Sequence, residues 1–131
     1  MSHIKVKRIY DPAGAEDGRR ILVDRLWPRG VSKEKAELSL WMKEVAPSAA
    51  LRTWFHAEPE RMAERYDLFR EKYVAELADP SLRERLGQLK RWAEDGTVTL
   101  LYAANTGERN HARVLMEVIE SFPREPSPID E

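Results

Sequence analysis

Ile21-Leu22-Val23-Asp24-Arg25-Leu26-Trp27-Pro28-Arg29-Gly30 begins as a short apolar run and turns abruptly into a charged segment containing proline and glycine. Its first three residues, bounded by Arg20 and Asp24, have the composition of a strand buried on both faces, as in parallel sheets. Thr97-Val98-Thr99-Leu100-Leu101-Tyr102-Ala103 reads the same way. Both are predicted inner strands. Ile4-Lys5-Val6-Lys7 and Ile9 instead alternate with period 2, as an outer strand with one wet face does. The intervening Asp11-Pro12-Ala13-Gly14 to Asp17-Gly18 is rich in turn residues.

Between the inner strands the period becomes helical. Ser32 is a predicted N-cap, with Leu38, Trp41 and Val45 on one stripe and Pro47 as the stop. Ser48 is the predicted cap of a short helix. Pro59 suits the first position of a longer one, whose Met62, Tyr66, Phe69, Tyr73 and Leu77 recur at spacings of 4, 3, 4 and 4. Asp79 and Pro80 open a further helix with Leu82, Leu86, Leu89 and Ala93 inward, closing at Gly96. A last helix is predicted from about Asn110 to Ser121, with Val114, Leu115, Val118 and Phe122 inward. The order implies an α/β fold: a small, largely parallel sheet of three to four strands covered by helices on both faces, a Rossmann-like three-layer arrangement. One domain is expected over residues 1–122. Residues 123–131 hold three prolines and no period, and are expected to fray.

Composition bounds the function. The 131 residues include 22 Lys plus Arg and 23 Asp plus Glu, so the chain has neither the large positive excess of a bulk polycation of the histone kind nor the large negative excess of a disordered acidic protein. With 42% hydrophobic residues and four tryptophans, the chain can bury one sizeable core. The lack of cysteine excludes disulfide scaffolds, thiol nucleophiles and iron–sulfur clusters. No signal peptide or membrane span is legible, which predicts a cytoplasmic protein without membrane partners.

In open α/β sheets ligands gather beyond the carboxyl ends of the strands, and the Asp24–Gly30 segment lies there. Arg25 and Arg29 are four apart, stiffened by Pro28 and relieved by Gly30, and can present planar forks to a phosphate or carboxylate. The competing reading pairs Asp24 with one of these arginines and leaves the turn a mere connection. His111 follows the cap Asn110, so its imidazole falls in a helix first turn, where it can serve as an acceptor or general base beside amides that attract anions. Arg52 and His56 fall on one helical face, either lining a pocket or forming a surface pair. Tyr102 ends its strand and either reaches the site or satisfies a buried neighbour. A metal would need His56, His111 and Asp24, and the spacing does not favour one.

These strings, from Leu22-Val23-Asp24-Arg25-Leu26-Trp27-Pro28-Arg29-Gly30 through Ala46-Pro47-Ser48 and Trp54-Phe55-His56 to Asn110-His111-Ala112, resemble the DUF488 family, in its YeaO-like branch, over nearly the whole chain. The resemblance implies a compact α/β domain and no assigned activity. Other branches carry Asp-Val-Arg where this chain has Asp24-Arg25, and Cys-His-Arg where it has Asn110-His111-Ala112, so chemistry that needs the thiol is excluded here. Asp24 and His111 remain aligned with the pattern. They are the expected catalytic centre, with Arg25, Arg29, Arg52, His56, Tyr102 and Asn110 as binding residues. The expected ligand is a small anion of the nucleotide or sugar-phosphate class, acted on or only bound, with no cofactor named. A non-catalytic binding or regulatory module is the alternative. Nucleic acid ranks last as a partner, because acidic helices surround the basic segment.

Near-neutral charge is an average of unlike segments. Residues 1–33 hold eight basic and four acidic side chains, whereas residues 117–131 hold five acidic and one basic. The local positive excess supports an anion site near the Asp24 turn.

Overall fold

The computed structural model describes residues 3–104 and 109–123. Four strands, β1 (His3–Arg8), β2 (Arg19–Leu22), β3 (Leu40–Trp41) and β4 (Thr97–Tyr102), form one sheet in the order β1-β4-β2-β3. Every pairing is parallel. Helices α1 (Lys33–Ala36), α2 (Ala49–His56), α3 (Met62–Leu77), α4 (Arg83–Asp95) and α5 (His111–Ser121) complete the α/β arrangement. Among the described residues no helix is long and apolar enough to cross a membrane. The expected tail lies, beyond Pro123, outside the described residues.

The two apolar runs sit where their composition puts them. β4 and β2 are the inner strands, and Ile21, Leu22, Val98, Leu100 and Leu101 are all buried. Alternation then divides these side chains between the faces. Ile21, Val98 and Leu100 pack with residues of α2, α3, α4 and α5 in the main core, whereas Leu22 and Leu101 pack with Ile9, Ala36 of α1, Trp27 and Trp41. The sheet is thus the middle of three layers, one of them thin.

The cap residues act as their chemistry predicts. Ser48 Oγ accepts from Leu51 N and Asn110 Oδ1 from Arg113 N, each at about one turn's remove. Asp79 accepts from Ser81 N ahead of the Pro80–Leu82 3₁₀ turn that leads into α4.

One expected element is wrong. The predicted helix from Ser32 through Val45 ends after Ala36, where Glu37 takes a left-handed φ of 46°. Leu40 and Trp41 then pair with Ile21 and Leu22 as β3, and Lys43–Val45 is a 3₁₀ turn. The reason is tertiary. The outer edge of β2 offers carbonyls that the segment satisfies by bonding Ser39 N to Arg20 O and Met42 N to Leu22 O, both 2.8 Å. Unpaired buried carbonyls would cost more than a marginal helix returns.

At the start of β2, Asp17 is fully buried. Its carboxylate accepts from Gly14 N at 3.0 Å, Arg20 Nη1 at 2.6 Å, Lys7 Nζ at 3.1 Å and Lys5 Nζ at 3.3 Å. Burial by itself would push the carboxyl upward, but these bonds from Gly14, Lys7, Arg20 and Lys5 outweigh it and hold the group well below the usual carboxylate range.

Candidate functional site

Because β2 and β4 are neighbours, their carboxyl ends deliver Asp24 and Ala103 to one place. Asp24 Oδ2 accepts from Ala103 N at 3.0 Å, joining the two strand ends one step beyond the Val23 N to Leu101 O bond. Asn110 then caps α5 and sets His111 in its first turn over the same strand ends. His111 Nε2 lies 3.0 Å from the Val23 carbonyl oxygen, so this nitrogen carries the proton and donates it there. Asp24 Oδ1 is 3.1 Å from the same nitrogen but receives no hydrogen bond. The two residues therefore meet, as their positions beyond adjacent strands predicted, and Asp24 pairs with neither Arg25 nor Arg29.

In front of this pair opens a cavity of about 600 Å³, within the range of sites that hold small organic ligands. Asp24, Arg25, Arg29, Arg52, His56 and His111 all line it, with Asn110 beside them. Of the expected binding residues only Tyr102 is elsewhere: it is buried in the main core and is not on the wall.

The arginines divide by partner. Arg25 Nε donates to Pro47 O and Arg25 Nη2 to Ala46 O, both at 3.2 Å, so this guanidinium fixes the segment before α2. Arg29, Arg52 and Arg109 are exposed, and among the described residues none of their guanidinium groups has a hydrogen-bond or ion-pair partner. Arg109 was not singled out from sequence, although its place directly before the cap of α5 was a usable signal. Four guanidinium groups against one carboxylate, among the described residues, leave the wall strongly positive. His56 is held below the usual histidine range, first by burial and then by the charges of Arg52 and His111.

The rest of the lining is largely apolar. Phe55 and Phe69 stack with ring centroids 4.3 Å apart and lie mostly in the core. Met62, Trp27 and Leu26 add surface, and Tyr10 reaches the rim from the end of β1. Trp27 is fixed by donating Nε1–H to Val31 O at 2.7 Å and by an edge contact with Trp41. Among the described residues no group of three His, Asp or Glu side chains comes together as a metal site, and Asp24, His56 and His111 do not form one.

Comparison with known proteins gives a consistent result. A family model described as "Inactive DUF488-N3 subclade" matches residues 3–127. The chain is 46% identical over 121 residues to the uncharacterized protein YeaO of Escherichia coli K12, covering 92% of this chain and 99% of the relative. It is 36% identical over 118 residues to the uncharacterized protein Rv3073c of Mycobacterium tuberculosis H37Rv, covering 90% and 94%. No solved structure matches.

Proposed function

The chain belongs to the DUF488 family, and on that premise we propose that it is a binding module for a small phosphate-bearing metabolite, of the nucleotide or sugar-phosphate class, held without turnover. The observation that carries this reading is the cavity wall on which Arg29, Arg52 and Arg109 have no partner among the described residues. Guanidinium forks without internal partners suit an external oxyanion, which they can bind in a bidentate manner. The first turn of α5 adds its positive end at the same place. Asn110, where other branches have cysteine, is a buried helix cap. His111 Nε2 already donates to a main-chain carbonyl. The description of the matching subclade as inactive supports binding without chemistry.

The 3.1 Å approach of His111 Nε2 to Asp24 Oδ1 favours a second reading in which the pair handles a proton on the bound ligand. Calorimetric titration with ribose 5-phosphate tests the first reading. Saturable binding that Arg29→Ala plus Arg52→Ala abolishes, with the melting temperature kept, is the expected result, and heats indistinguishable from dilution would sink it. Ligand consumption that disappears in His111→Gln would favour the second.

A further inference from the structure

Apolar side chains left exposed beside a site are informative when they are also immobilised. Tyr10 is 46% exposed and Leu26 63% exposed, two of the few large apolar side chains of the described chain that remain open to solvent, and both line the arginine cavity. Leu26 is a simple exposed side chain. Tyr10 is not. The Arg8 guanidinium lies over its ring, 4.9 Å from the centroid. Arg8 is itself anchored, Nη2 donating to Ala103 O at 2.9 Å and Nε to Ala104 O at 3.2 Å. The Tyr10 hydroxyl donates to Arg29 O at 2.9 Å. An aromatic ring pinned at its hydroxyl and backed by a cation has lost its rotamer freedom before any ligand arrives, while its apolar surface stays wet. That is the condition under which a stacking partner binds at low entropic cost.

We propose that Tyr10 is a stacking platform for a flat heteroaromatic ring, with Leu26 adding apolar surface, so that the ligand of this cavity is a nucleoside phosphate whose phosphate meets the unpartnered arginines. This rests on the anion-binding reading and narrows it. A cavity of about 600 Å³ is far larger than an inorganic phosphate needs and leaves room for base and ribose. The hydroxyl bond from Tyr10 to Arg29 O also joins the platform to the segment that carries one of the phosphate-binding side chains, so ring and phosphate subsites are set relative to each other by the fold. A sugar phosphate has no flat aromatic face to set against the Tyr10 ring.

The test is titration of the full chain with adenosine 5′-monophosphate, ribose 5-phosphate and adenosine. The monophosphate should bind about tenfold tighter than ribose 5-phosphate, the scale of one base stacked on an aromatic side chain. Tyr10→Ala should remove that preference and leave ribose 5-phosphate affinity within about twofold, whereas Tyr10→Phe, which keeps the ring but loses its bond to Arg29 O, should retain part of it. Saturation-transfer NMR on the unmodified chain gives a readout that needs no variant, and the strongest transfer should reach the adenine protons. Equal affinity for the two phosphates, or transfer confined to ribose, would overturn the platform and leave the anion site standing. Failure of every phosphate to bind would remove both.

Discussion

Two aspartates lie at opposite ends of β2, each among basic side chains, and they are handled in opposite ways. Asp17, before the strand, is fully buried and accepts from three cations and a backbone amide. Asp24, after the strand, accepts one backbone amide, and the arginines around it point their chemistry elsewhere: Arg25 to carbonyls, the others to no described partner. At the first end the positive charge is consumed by the protein itself. At the second it is left over. Internal neutralisation marks the first as structural, whereas the surplus of cation beside the cavity is the feature that the proposed anion would answer.

The largest effect that would break this comparison is expected at Asp17. Asp17→Ala leaves Arg20 and Lys7 facing each other with no counter-charge, and removal of one partner from a buried ion cluster typically costs about 3–5 kcal/mol. Lys5 is partly exposed and can turn to solvent, which places the expected loss near the low end, about 3 kcal/mol. Urea unfolding measures it, and a loss below about 0.5 kcal/mol would show that the cluster is incidental. The pH dependence has a fixed sign. The folded carboxyl titrates below its unfolded value, so its stabilisation is complete above about pH 5, where the unfolded group is ionised, and is lost as pH falls toward the folded value. Asp17→Ala should flatten that acid limb.

Next comes the glycine that follows each aspartate in the chain. Gly18 has φ 61° and ψ −128°, and a Cβ there would lie 2.2 Å from the carbonyl oxygen of Thr97, which is backbone and cannot yield. Gly18→Ala should therefore cost about 2–3 kcal/mol. Gly30 has φ 78°, but a Cβ added there would meet nothing within 4 Å, so Gly30→Ala carries only the conformational penalty, about 1 kcal/mol. Thermal unfolding of the two variants should rank them in that order. The reverse ranking would mean that the ligand-facing turn is the tighter of the two.

A smaller effect on the fold, and a larger one on binding, is expected at Arg52. As an exposed side chain without a described partner, Arg52→Ala should change stability by no more than about 0.5 kcal/mol, yet weaken a phosphate ligand by roughly tenfold, the scale of one charged hydrogen bond. Arg25→Ala should do the opposite. It frees the carbonyls of Ala46 and Pro47, so melting temperature should fall more than affinity. Parallel losses in both variants would erase the division between structural and ligand-facing arginines.

Much of this layout was legible in the residues. Ile21-Leu22-Val23 and Thr97–Ala103 are apolar at consecutive positions because both faces of an inner strand are covered, and their carboxyl ends located Asp24 and His111 before any geometry was known. The caps Ser48, Asp79 and Asn110 carry their signal locally. What stayed hidden depends on contacts distant in sequence. Leu38, Trp41 and Val45 keep helical spacing, and nothing local reveals that β2 needs Leu40 and Trp41 at its edge. Lys5 and Lys7 alternate like a wet face, yet both reach Asp17, a pairing that exists only once β1 and the segment before β2 pack together. Tyr10 joined the site the same way, whereas Arg109 was within reach of the sequence, directly before the cap of α5. Tyr102, in contrast, was drawn into the core by the strand alternation that puts Val98 and Leu100 there.

The smallest expected effect concerns His56, and it sharpens the contrast because it reads the surplus charge directly. Burial, Arg52 and His111 hold its imidazole below the usual histidine range, so below about pH 6.5 the unfolded chain takes up a proton that the folded chain refuses. Stability at this residue is therefore present above that pH and declines as the pH falls. A bound dianion offsets the cations that depress the group, so it should favour proton uptake. Sulfate, which does not titrate here, should bind modestly tighter at about pH 5.5 than at about pH 7.5, on either side of the usual histidine value, with a proton absorbed on binding. His56→Gln should reduce that pH dependence while leaving affinity at the higher pH nearly unchanged, since the imidazole is neutral there. Calorimetry in buffers of different ionisation enthalpy counts the proton. Identical pH profiles for the two chains would mean that the anion does not sit near His56, and would move the ligand's charge toward Arg29 and Arg109.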